Sequence, residues 1–432
     1  MIGFRLILLT AAFGCAAPLA TGADWPQWRG PNRDGVSKET GLLKSWPEKG
    51  PKLVWTFEKT GVGYGSPAVV GDKIFILGAD DPEKGDKEFA ICLNAKTGEE
   101  IWRKTLDNAD GKYLYNWGTG PRSTPTVDGD FLYILGAKGD LQCLKSSDGA
   151  KVWGVNYIED FGGKIPTWGF SESVLIDGDF LICTPGGPKG TIAKLNKKTG
   201  EVVWRSDKVA DEAQYSSIVI STIGVKQYIT LVKAGTLSVR ASDGKLLWRS
   251  KAGANGVAVI PTAVLNDKNV FVTSGYGSGC GLLELAPDGA DNVKMKEIYL
   301  NKAMVNHHGG VVRIDDFIYG YSDRGGKWLC LDYLKLDKDN EAETWKSDKL
   351  DKGSLTFADG HFYCYGQKKG TCVLIEASPK EWKETGRFEL PKKSAFPRRS
   401  GLIWTHPVVA NGKLYLRDHE LLFCFEVQKR LD

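Results

Sequence analysis

From Ser66 to Gly78 the chain reads SPAVVGDKIFILG, and from Ser123 to Gly136 it reads STPTVDGDFLYILG. Apolar side chains alternate in both stretches, and a Gly-Asp or Asp-Gly pair interrupts each. That is the pattern of two antiparallel strands joined by a tight hairpin. A third apolar run follows, as in FAICLNA from Phe89 to Ala95. Next come a Thr-Gly or Asp-Gly turn and a short segment ending on a bulky aromatic residue. The clearest examples are AKTGEEIW, SSDGAKVW, KKTGEVVW and ASDGKLLW, closing on Trp102, Trp153, Trp204 and Trp248 at intervals of 51, 51 and 44 residues. Four strands repeated at this period predict the blades of an all-β propeller.

Looser units continue the series. The third spans roughly Ser171 to Trp204 and the fourth Tyr215 to Trp248. The fifth runs from about Val259 and carries Tyr299 in place of the closing Trp. The sixth runs from about His308 to Trp345, and the seventh covers Ser354 to Phe388, with GRFEL as a degenerate closer. The eighth, THPVVANGKLYLRDHELLFCFEV, supplies three strands before the chain ends. Near the other end PKLVWTF, residues 51–57, has the closing pattern with no strands before it. These observations predict an eight-bladed propeller of four-stranded antiparallel blades, its ring shut by the N-terminal strand. Closure would remove the open edges that otherwise invite aggregation. The repeated tryptophans are expected to pack as a girdle between blades.

The chain has 432 residues, enough for two or three ordinary domains. The repeat overrides that division: residues 51–432 read as one propeller, preceded by an extension over 24–50 and a leader over 1–23. In the leader Arg5 precedes the apolar run LILLTAAFG, and small residues follow through Ala23, as in an export signal. Cys15 raises lipid anchoring as an alternative, although Ala12-Phe13-Gly14 matches an attachment box poorly. No later segment is long and apolar enough for a membrane helix. The expected location is periplasmic or extracellular. A net charge of +4, with both signs interspersed, points to neither nucleic acid nor an acidic membrane as partner.

Eight cysteines follow the leader. Cys92, Cys143, Cys330 and Cys424 occupy one position on the third strand of four different blades, too far apart for disulfides. They read as small buried hydrophobes. Cys364 and Cys372 flank the turn YGQKKGT and form the one pair considered for a disulfide across a hairpin. No zinc-ligand spacing is present.

The units SPAVVGDKIFILG…LNAKTGEEIW resemble the quinoprotein-type repeat named for pyrroloquinoline quinone (PQQ) enzymes. ADWPQWRGPNRDGVSKETGLLKSWPEKGPKLVW resembles the start of exported PQQ-like propellers of planctomycete-type bacteria. Together these resemblances cover essentially all of the chain after the leader. One branch of the family implies alcohol or glucose dehydrogenases, with PQQ and calcium at the ring centre. The other implies cofactor-free interaction scaffolds, including an outer-membrane-assembly lipoprotein. The sequence departs from the enzyme branch. It has no adjacent Cys-Cys pair, no recognisable calcium-binding set and none of the long insertions.

A propeller site is expected where the innermost strands begin, around the central channel. Aligning the units puts Tyr64, Arg122, Ser171, Glu172, Trp404 and His406 at the strand lead-ins. The preceding loops add Trp117, Trp168, Tyr215, His307, His308 and Arg398. On a strand, consecutive His307 and His308 would point to opposite faces. Arg122 and Glu172 could pair across neighbouring blades, and Arg398 with Arg399 would lie in a solvated loop. Neither a Ser-His-Asp order, nor a phosphate loop at GYGSGCG around Tyr276, nor paired carboxylates can be singled out. The expectation is a non-catalytic binding scaffold for a protein or carbohydrate, monomeric and without a cofactor. The alternative is a PQQ/calcium oxidoreductase with Trp404 or Trp168 stacking and Glu172 on the metal. A sugar hydrolase or lyase at the same channel comes third.

Overall fold

A computed structural model describes residues 22–107, 111–206, 208–336, 342–396, 398 and 401–429. Residues 1–21 of the expected leader, with Cys15, lie outside them. Among the described residues there is no helix, so none crosses a membrane. The strands form eight sheets, each built on four antiparallel strands of one repeat unit, and the seventh gains a short parallel fifth strand. In the first, Ala68–Val70, Lys73–Ala79, Glu88–Asn94 and Glu100–Thr105 follow one another from the channel outward. The last takes Val408–Ala410, Lys413–Asp418 and Leu421–Glu426 from the C-terminal end and Lys52–Phe57 from the N-terminal end. Lys52 pairs with Glu426 and Phe57 with Leu422, so the ring closes as the unpaired aromatic strand requires.

The buried apolar residues gather in eight layers, each filling the seam between two neighbouring blades. Phe75, Leu77, Val127 and Leu132 share one layer, and Val69, Ile74, Tyr415 and Leu422 share the layer at the closing seam. Burial of these side chains, at about 25 cal/mol per Å2 of apolar surface, drives the stacking of blades that could not stand alone.

The Trp girdle has a specific construction. Trp102 lays its ring on Gly149 of the next blade's turn and donates its indole N–H to Ser146 O at 3.3 Å. Trp153 does the same with Gly200 and Lys197 O, Trp204 with Gly244 and Ala241 O, and Trp55 with Gly98 and Ala95 O. Each of these glycines has φ between 70° and 78°. The Thr-Gly and Asp-Gly turns therefore need glycine twice, for a left-handed backbone and for room beneath the indole. Gly149→Ala would place Cβ 2.8 Å from the Trp102 ring. A loss of about 1–2 kcal/mol is expected from strain and displacement, read from the shift in urea midpoint.

Every outermost strand also carries a β-bulge just before its closing position. The ladder skips Ile101, Val152, Val203, Leu247, Ile298, Thr344, Thr385 and Val54 in the eight blades. In the seventh blade the closing position is Gly386, not the Phe388 of GRFEL. Trp46, from the N-terminal extension, fills the gap: a Cβ on Gly386 would lie 2.7 Å from it. Trp46 also packs edge-on against Phe388 at 5.3 Å.

All eight described cysteines are free and buried. Cys92, Cys143, Cys330 and Cys424 each stand opposite a girdle Trp. The Cys364–Cys372 disulfide does not form. Cys372 pairs with Tyr365 rather than Cys364, so the two thiols project from opposite faces of the sheet. Cys364 enters the seam with the sixth blade and Cys372 the seam with the eighth.

The extension expected before the propeller threads its channel. Trp25 bridges to Val69 in the first blade, and Pro26 O accepts from Val127 N in the second. Arg33 donates to Ser173 O and Val174 O in the third and to Ile218 O in the fourth. Trp28 reaches Thr262 Oγ1 in the fifth, and Arg29 reaches Val311 O in the sixth at 2.6 Å. Val36–Ser37 pairs in parallel with the seventh, while Ser37 Oγ bonds Val409 O in the eighth. Left-handed residues at Arg29, Gly30, Arg33 and Gly35 fold this segment into a compact hub touching all eight blades. The chain then leaves along the seam of the last two blades, past Leu42 and Trp46.

Candidate functional site

Above the hub, the loops leading into the inner strands enclose a cavity of about 240 Å3. Of the twelve residues put forward from sequence, ten line it: Tyr64, Trp117, Arg122, Trp168, Ser171, Tyr215, His307, His308, Trp404 and His406. Trp28, from the hub, belongs to the same lining and meets the His406 ring edge-on at 4.6 Å, sealing the channel beneath the cavity.

The walls form a near-continuous aromatic belt. Trp168 and Tyr215 are 5.9 Å apart, and Tyr276 meets His307 at 4.8 Å. His307, His308, Trp404 and Tyr64 follow in sequence at 5.3, 5.7 and 5.1 Å. Trp117 and Tyr276, 45% and 50% exposed, stand at the lip.

Arg122 is the cation of the wall, its guanidinium 4.7 Å from the Tyr64 ring centre and 5.8 Å from that of Trp404. It donates to Trp168 O and Gly118 O. The expected Arg122–Glu172 pair does not form. Glu172 lies beneath the wall, accepting from Tyr157 Oη and Thr184 N, with Arg33 as the opposite charge that acts on it. Its neighbour Ser171 takes the cavity side. Arg398 lies outside the basin and is not simply solvated, since it is paired with the fully buried Asp418.

Consecutive His307 and His308 do not diverge, because they lie in a loop rather than on a strand, and both rings face the basin. Their tautomers follow from their partners. Gln367 Oε1 accepts from Trp404 Nε1, so His308 donates to it through Nε2–H and keeps Nδ1 as an acceptor. His406 donates Nε2–H to His308 O. Lys352, itself paired with Asp323, donates to His307 Nδ1, which leaves His307 Nε2–H for Tyr276 Oη. Burial first, then the positive charge of Lys352, pushes His307 down to about 4; burial and Arg29 push His406 down to about 3. His308 is held well below the usual imidazole range, again mainly by burial. All three stay neutral at pH 7, where imidazoles of such low pKa are weak bases.

Sequence reasoning missed Trp28, Ser217, Ala258, Ile260 and Tyr276. Tyr276 sits in the GYGSGCG hairpin, which the lead-in alignment passed over.

The lining holds no carboxylate, whereas a calcium ion takes six to eight oxygen ligands, several of them carboxylate. Among the described residues no group of three His, Cys, Asp or Glu is placed to hold a metal. The donor set therefore does not fit the calcium–quinone centre of the enzyme branch.

A family model described as outer membrane protein assembly factor BamB matches residues 86–333, more than half of the chain. The outer membrane protein assembly factor BamB of Kangiella koreensis is 24% identical over 196 residues. That alignment spans 43% of this chain and 43% of the relative's own length. Among solved structures, BamB from Moraxella catarrhalis superposes with TM-score 0.59 at 13% identity, covering 88% of this chain and 98% of that one. The quinohemoprotein alcohol dehydrogenase of Comamonas testosteroni gives 0.60 at 12%, covering 95% and 81%. At these identities the structures speak for the fold alone.

Proposed function

Because the chain belongs to the family of the outer membrane protein assembly factor BamB, we propose that it is an exported, non-catalytic binding platform that takes its partner at the aromatic basin. One observation carries this reading: seven blades and the hub together build an aromatic-walled recess whose lining carries one half-buried cation, Arg122. Aromatic and arginine side chains gathered in a pocket are the usual anchors of recognition. The chemistry of the wall favours binding over turnover, since its imidazoles are weak bases and, among the described residues, neither Ser171 nor Ser217 is hydrogen-bonded to one of them. The partner is a protein or a carbohydrate presenting a small group to the recess, and the closed ring suits a monomer. The leader and its small-residue end support export to the periplasm or beyond.

The test has two arms. Incubating the protein with PQQ and calcium should give neither a stoichiometric absorbance change nor dye-linked oxidation of alcohols or sugars. Turnover would overturn the reading in favour of the oxidoreductase. In the second arm, glycan and peptide arrays are probed with the wild type and with a Trp168→Ala/Trp404→Ala variant. Signals should fall at least tenfold in the variant; signals that persist unchanged would remove the basin from recognition.

A further inference from the structure

We infer that the basin holds the ring of a sugar acid, with the ring's apolar face on the aromatic wall, its carboxylate on Arg122 and a hydroxyl donating to His308. The inference rests on the binding-platform reading and names its ligand class. The argument starts from groups that the fold leaves without partners. Arg122 has two backbone carbonyls on Nε and Nη2, and among the described residues it has no carboxylate partner and nothing on Nη1. A half-buried guanidinium without a counter-ion favours an incoming anion, and a carboxylate matches its planar fork. His308, 8% exposed, uses Nε2–H on Gln367 and leaves Nδ1 buried without a partner. Trp168 Nε1 is likewise buried with no acceptor. Orphaned polar atoms of this kind are few in native proteins, and two of them on lining residues beside an unpaired cation point to an occupant.

A lone-pair acceptor and an indole donor on the same wall as an unpaired cation describe a ligand with hydroxyl groups as well as one negative charge. A purely aromatic acid would satisfy the cation and leave His308 Nδ1 empty. The remaining lining, with Trp117, Trp168 and Trp404 among its more exposed aromatic members, is the kind of surface that takes a flat apolar patch such as the C–H face of a pyranose. The cavity of about 240 Å3 lies below the range of drug-sized pockets, which suits one ring rather than a buried chain. A uronic acid residue combines these features.

Isothermal titration of the full protein with trigalacturonate provides the test, alongside its carboxyl-reduced neutral counterpart and benzoate. Trigalacturonate should bind at least tenfold more tightly than either comparison ligand. Arg122→Gln should abolish the preference over the neutral sugar, and Trp404→Ala should weaken both sugars. Equal binding of the neutral sugar, equal binding of benzoate, or no uronate binding by the wild type would each overturn the inference. These outcomes separate from failure of the underlying reading. If array ligands of other chemistry bind through Trp168 and Trp404, the platform stands and the sugar acid falls; turnover with PQQ removes the platform itself.

Discussion

Replacing Arg33 with alanine is expected to lower the free energy of unfolding by about 3–5 kcal/mol, the cost of breaking a buried charged network. Arg33 is 3% exposed and lies at the centre of the disc. Its guanidinium donates to Ser173 O, Val174 O and Ile218 O, tying the third and fourth blades to the hub, and its Nε donates to Gln27 Oε1 at 2.9 Å. Burial holds it down to about 9, so its charge persists at neutral pH, supported by Glu172. Truncation leaves Ser173 O and Ile218 O buried without donors, each worth about 1–3 kcal/mol, leaves Val174 O with Thr126 Oγ1 alone, and deprives Glu172 of its opposite charge. The readout is the urea midpoint at pH 7, with the wild type as reference. A loss under about 1 kcal/mol would mean that the hub merely occupies the channel without holding the blades.

Arg417→Ala should cost a comparable amount, about 3–5 kcal/mol, at a different place. This side chain is fully buried at the seam where the last blade meets the first. It donates to Gly65 O at 2.8 Å, to Thr60 O and Gly61 O at 3.3 Å, and to His419 O at 2.9 Å. Four carbonyls gathered around one planar guanidinium cannot all be reached by a lysine ammonium in the same geometry. Arg417→Lys should therefore recover only part of the loss. The seam is where the two ends of the polypeptide meet, so its weakening should also speed unfolding in stopped-flow urea jumps. An Arg417→Lys protein as stable as the wild type would show that charge, not the fork of donors, holds the seam.

The blades were legible because each strand pair writes its alternation into the sequence and each turn demands a glycine in a set place. Closure was legible because PKLVWTF carried the pattern of an outer strand and had no sheet of its own. The hub was not. WPQWRGPNRDG announces turns through its prolines and glycines, but its partners are backbone carbonyls of distant blades, which leave no trace in side-chain identity. For the same reason Trp46 could not be assigned to the seventh blade: Gly386 is an ordinary glycine until the indole is seen lying against it. At the cavity, position before an inner strand grouped ten side chains that the fold brings to one lining. It failed for Glu172 because Tyr157 and Thr184 hold its carboxylate beneath the wall, and for Arg398 because Asp418 captures it.

The bulge that precedes the closing position in every blade reaches beyond local geometry. A chain that seeks to lend a strand needs an uninterrupted row of amide and carbonyl groups on the perimeter, and each of the eight outer rims breaks that row at the same height. Crowded copies of the protein thus lack a template for edge-to-edge growth. A partner that adds a strand at the circumference meets this break in every blade, which favours recognition on the two flat sides of the disc.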